Sequence, residues 1–230
     1  MIYFLPIATT LFSAFFFIEL WQHWRNTPNS AHILWWMVGI FFYGAGTITE
    51  SIHAVAGYIP LNFRLWYIFG ALLGGAPLAQ GTVYLLLSRR IANILSVIVG
   101  LAIIVGAVLI LLSPLRPVTD PDAKLSGQIL EWGFIRAIVP FINIYAFLFL
   151  CGGAIYSAVL YYRTMIDKSR AWGNILIAVG ALLPGIGGTA SKFGYIQVLY
   201  LTEFIGICLM HAGYQMMKAS AIPSIYPNQR

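Results

Sequence analysis

Long apolar runs separated by short polar connections fill this chain from end to end. Seven of them stand out, at about residues 2–21, 32–56, 65–87, 91–112, 128–162, 171–191 and 196–217. A hydrocarbon core about 30 Å thick takes about 20 residues of helix, and backbone polar groups inside it must be bonded within their own segment. The short alternating stretches of a membrane barrel do not occur. The pattern predicts an all-α integral membrane protein, a seven-transmembrane-helix bundle forming one domain over residues 1–218, with a short cytoplasmic tail at 219–230. The fifth run is longer than one crossing needs, so it is expected to begin in the outer interface and to tilt.

Composition supports lipid as the solvent. Of 230 residues, 60% are hydrophobic and 9% charged, and the mean hydropathy is +0.84, outside the range of globular domains. Lys and Arg recur in every second connection: Arg25, then Arg89 and Arg90, then Arg163, Lys168 and Arg170, then Lys218 and Arg230 in the tail. The opposite side has Arg64, Arg116, Lys124, Arg136 and Lys192, diluted by Asp120, Asp122 and Glu131. The bias places the N-terminus outside and the C-terminus in the cytoplasm, with a prokaryotic-type plasma membrane as the expected setting. The first run lacks a basic flank before it and a small-residue cleavage site, so an uncleaved helix is expected rather than a signal peptide.

The formal charge of +6 is scattered over short loops, which suits anionic headgroups and offers no nucleic-acid-binding surface. Trp21, Trp24, Trp35 and Trp36 at one boundary and Tyr58, Trp66, Tyr67 and Trp132 at the other read as interfacial belts. Cys151 and Cys208 both fall inside spans, where they act as small apolar residues and propose neither a disulfide framework nor a metal site.

Ionisable residues inside the spans are costly and therefore carry the functional expectation. Glu50 and His53 lie one turn apart in the outer third of the second span, Arg64 opens the third, and Arg136 lies in the outer part of the fifth. Glu203 lies well inside the seventh. These five residues are the candidate ligand-binding set: an outward-facing polar pocket with Glu50 and Glu203 sensitive to protons or cations, and Arg64 and Arg136 as anion clamps. Interfacial ion pairs, Glu50 with Arg64 and Glu131 with Arg136 and Lys192, are the competing reading. Tyr200, Glu203, Ile207, His211 and Gln215 recur at helical spacing on the seventh span, which makes Tyr200 and His211 candidates for a proton relay. Glu203 and His211 are about 12 Å apart along the axis, so such a relay needs water.

The third and sixth spans share Gly- and Pro-rich centres, GALLGGAPLAQGT and GALLPGIGGTAS. Proline removes a helical hydrogen bond and adjacent glycines allow unwinding, so both helices are expected to be broken or flexible. Small residues four apart also permit tight helix packing. Microbial rhodopsins and small sugar transporters of three-plus-one-plus-three helices resemble this layout in length and topology only. The rhodopsin resemblance implies a retinal-bearing lysine one turn after an acidic residue. Here Ile207 follows Glu203, and the next lysine is Lys218, which argues against covalent retinal. Isolated histidines within spans argue for packing roles over haem ligation, and no nucleophile–base or metal constellation argues for an enzyme. Two function classes remain. One binds or translocates a small molecule or ion through the polar pocket. The other is a structural, sensory or accessory subunit of a larger, possibly redox or pigment-containing, membrane complex that meets a membrane-protein partner or a second copy of itself.

Overall fold

The computed structural model describes residues 4–118, 125–164 and 168–220, without the side chains of Thr164 and Lys192. Asp120, Asp122, Lys124, Arg230 and the Lys192 side chain, weighed above for orientation and ion pairing, therefore lie outside the described residues. Among those residues the protein is helical apart from turns and one isolated antiparallel bridge. Seven helices are long and apolar enough to cross a membrane: α1 Leu5–Asn26, α2 Ala31–Ala56, α3 Pro60–Leu86, α4 Arg89–Leu112, α5 Ile135–Arg163, α6 Lys168–Ser191 and α7 Ile196–Ala219.

Local chemistry explains where most of them begin and end. Thr27 closes α1 by donating its hydroxyl to His23 O at 2.9 Å, and Gly57 closes α2 at φ 71°, a conformation that suits glycine. Pro60 then opens α3 in the first turn, where a missing N–H costs nothing. The expected start of the fifth span at residue 128 is corrected to Ile135. Leu115 and Leu130 form the antiparallel bridge, Arg116 N donates to Ile129 O at 2.9 Å, and Ser126 caps a short 3-10 turn at Gly127–Ile129. Ile129 and Leu130 are used to pair this segment with the chain just after α4, a tertiary pairing that overrides helical pattern.

The helices make a closed ring. α1 packs on α2, α2 on α3, α3 on α5, α5 on α6, α6 on α7, and α7 returns to α1, while α4 stands outside against α3 and α5. Val97, Leu101, Ile104 and Val108 of α4 are exposed. A broad apolar exterior of this kind is costly in water and natural in lipid. On the ring axis, in its inner half, lies an apolar cavity of about 30 Å³ to which each ring helix contributes, through Phe16, Ile40, Leu78, Leu150, Ile177 and Met210.

The two glycine-rich helices behave differently. α3 is interrupted: a π-helical stretch at Tyr67–Leu73 ends at Gly74, whose φ of 43° reverses the local hand, and helix resumes at Ala76 with Pro77 in its first turn. α6 runs unbroken through Pro184, so of the two expectations for its glycines, a break or tight packing, the helix shows packing. Proline leaves the Gly180 carbonyl without its helical donor, and that oxygen faces α7 at Gly206, where a Cβ would stand 2.7 Å from it. A Cβ at Gly173 would likewise meet Gly213 O at 2.8 Å. Glycines spaced by seven residues thus let the two backbones touch, and the α6–α7 contact is the most extensive in the bundle.

Candidate functional site

Two polar clusters occupy the ring. The outer one begins with the entry to α3. Asn62 Nδ2 donates to Thr49 O at 2.8 Å, tying the start of α3 to the turn of α2 that carries Glu50. One turn further, Trp66 Nε1 donates to Glu50 Oε1 at 3.1 Å. Glu50 is only 4% exposed. Across the interior, Tyr43 on α2 donates its hydroxyl to Glu203 O on α7 at 2.8 Å. The Glu50 and Glu203 carboxyls approach each other closely enough to interact directly.

That contact sets the chemistry. An ionised carboxylate only accepts hydrogen bonds, so two of them bond only when one carries a proton. Glu50 Oε2 and Glu203 Oε2 are both buried with no donor among the described residues. His53 Nδ1 and Arg64 Nε, also buried and unpartnered, belong to the same outer third of the bundle. Buried polar atoms normally find a partner in protein, water or ion, so four such atoms in one layer make this the candidate site.

Arginine does not complete it. Arg64 directs Nη2 to Ser113 O at the end of α4, at 2.9 Å, and Arg136 is exposed on α5. Among the described residues neither forms an ion pair with Glu50 or Glu203, and Glu131, also exposed, forms none with Arg136. The structure therefore brings Glu50 and Glu203 together, with His53 one turn away on α2, and turns Arg64 and Arg136 elsewhere.

The inner cluster joins α1 to α7. His211 Nε2 meets Glu19 Oε2 at 2.5 Å, Gln215 Nε2 donates to the same oxygen at 2.7 Å, and Gln215 also reaches His211 Nε2 at 3.0 Å. Phe12, Phe15 and Phe16 set their rings around the imidazole, with centroids 5.3, 5.5 and 4.9 Å from it. Here the carboxylate meets an imidazole and an amide. Glu19 was not singled out by sequence reasoning, because it sits alone in the first apolar run. Its signal was being the sole acidic residue of that run, opposite a helix bearing His211.

The polar stripe on α7 is thus divided. Tyr200, buried at 3% exposure, and Glu203 belong to the outer level, and His211 and Gln215 to the inner one. Ile207, fully buried, separates them over about 12 Å. Among the described residues no group of three or more His, Cys, Asp or Glu side chains is placed to hold a metal ion.

Fold and clusters together define the class: an all-helical bundle of the kind a multi-pass membrane protein forms, with a carboxyl pair inside it. No protein-family model, no curated protein and no solved structure matches the chain.

Proposed function

We propose that this is an integral membrane protein, N-terminus outside and C-terminus cytoplasmic, whose Glu50–Glu203 pair takes up and releases a proton at the outer side of the bundle in the course of ion or small-molecule translocation. The orientation is supported by the excess of Arg and Lys at the ends joined by the α1–α2, α3–α4 and α5–α6 connections. One observation carries the function: two carboxyls from non-neighbouring helices of the ring come together inside it, and among the described residues no cation is paired with either. In low dielectric two adjacent negative charges repel strongly, and a shared proton removes the repulsion.

Reconstitution into proteoliposomes with a trapped pH indicator and an imposed potassium diffusion potential tests this. The wild type should acidify the lumen, and Glu203→Gln should slow the change about tenfold or more with an unchanged unfolding temperature. A wild type that moves no protons under these conditions, or a Glu203→Gln variant as fast as wild type, contradicts the reading. A parallel sodium gradient separates protons from a small monovalent cation at the same carboxyls.

An accessory-subunit role is favoured by α4, which stands outside the ring with an apolar face turned outward. A membrane partner that co-purifies stoichiometrically, and is lost when Val97 and Leu101 are both changed to Ser, supports that role.

A further inference from the structure

Below the carboxyl pair, the ring axis continues into the apolar cavity and then to a second hydrogen-bonded pair. The cavity's inner end is walled by Trp36 and Tyr214, and the Tyr214 hydroxyl is bonded to His23 Nδ1 at 2.6 Å. His23 is half-buried, near the cytoplasmic end of α1. At the outer end, Ile40 lies one turn from Tyr43 on α2, and Met210 lies two turns below Glu203 on α7, about 10 Å along the axis. A space of about 30 Å³ has room for about one water, but its almost wholly apolar walls offer that water little to bond to. Apolar constrictions of this kind conduct when wetted and block when dry.

We propose that this cavity is a wettable gate on an axial proton path that runs from the Glu50–Glu203 pair past Tyr43 to Tyr214 and His23, so that the bundle conducts protons to its inner face as well as binding them at its outer one. The proposal rests on the reading of the carboxyl pair as a proton site. In one passage the pair becomes a dicarboxylate by releasing its proton to a transient file of waters that extends from the wetted cavity past Ile207 to the level of Tyr43. The hydrated proton is taken by the Tyr214 oxygen as the Tyr214 hydroxyl hydrogen passes to His23 Nδ1. The resulting imidazolium releases a proton to the cytoplasm, and the carboxyl pair is reprotonated from outside. The charged groups facing this exit are Lys218, whose Nζ stands 5.9 Å from the centroid of the Tyr214 ring, Glu19, which acts on Tyr214 from α1, and His32, which faces His23 from α2. Lys218 opposes accumulation of positive charge at His23 and so favours release. Glu19 is held by His211 and Gln215 and is not on the path.

Three variants away from the carboxyls test the gate in the proteoliposome assay, each also checked for unfolding temperature and for the infrared carbonyl band of a protonated carboxylic acid. Met210→Phe fills the cavity and Tyr214→Phe removes the hand-off, and each should lower proton flux about tenfold while the acid band stays. Ile40→Ser admits water and should raise flux, which keeps the test informative where the larger Met210→Phe side chain impairs folding. Flux unchanged in Ile40→Ser and Tyr214→Phe, with the acid band intact, overturns the path and leaves the proton site standing. A wild type without the acid band overturns the proton site itself, and the path with it.

Discussion

The outer and inner polar clusters place the same kind of residue, a glutamate within an apolar span, in opposite circumstances. Glu19 meets an imidazole and an amide, and its contacts close the ring between the first helix and the last. Glu50 meets another carboxyl and a tryptophan N–H, with no cation paired to it among the described residues. A complemented buried charge ties helices together. An uncomplemented one is held in place by the surrounding fold, by Asn62, Tyr43 and the glycine contacts of α6 and α7, and persists only with an exchangeable proton. Depth is similar in the two cases, about a third of the way in from opposite faces, so partner chemistry and not depth separates clamp from site.

Four perturbations sharpen or break this contrast. The largest effect is expected from Glu50→Gln, which keeps a hydrogen bond to Glu203 but removes the shared proton: proton uptake should fall about tenfold or more, with an unfolding temperature equal to or above wild type. Glu19→Ala should do the reverse. It strands His211 and Gln215, so the unfolding free energy should drop by about 1–3 kcal/mol, read from thermal unfolding in detergent, while uptake stays within about twofold of wild type. A double-mutant cycle on Glu19 and His211 should return a favourable coupling of about 0.5–3 kcal/mol, and the same cycle with Glu50→Gln and Glu203→Gln a coupling of opposite sign. Smallest is Trp66→Phe, which removes one hydrogen bond to Glu50 at a cost of about 1 kcal/mol and should shift the acid band of the pair without abolishing uptake. Equal behaviour of Glu50→Gln and Glu19→Ala in both assays would erase the distinction between the clusters.

Much of the scaffold was legible from hydropathy alone, because lipid demands helices of fixed length. The seven runs and the seven helices coincide to within a few residues, except at α5, where Leu130 pairs with Leu115 instead of entering a helix. Gly- and Pro-rich wording was less decisive. The same GALL sequence ends a π stretch and precedes a break in α3 but lies in a continuous packed helix in α6, and what differs is the partner: α7 offers Gly206 and Gly213 to α6, while the α3 break lies against Asn143, whose Nδ2 reaches Ala71 O at 3.4 Å. Glu50 and Glu203 were legible as costly residues at one depth, but depth does not say which side chains meet. The two arginines at that depth are drawn to a loop carbonyl and to the outer surface, and Glu19 went unnoticed because a single acid in an apolar run has no periodicity.

The central claim is a proton held between Glu50 and Glu203. Infrared difference spectroscopy of the protein in lipid, with hydrogen–deuterium exchange, reads it directly. Wild type should show a carboxylic-acid carbonyl band that shifts in heavy water, disappears in the Glu50→Gln, Glu203→Gln double variant and survives Glu19→Gln. A wild type with only ionised-carboxylate bands, or an acid band untouched by the double variant, would contradict it.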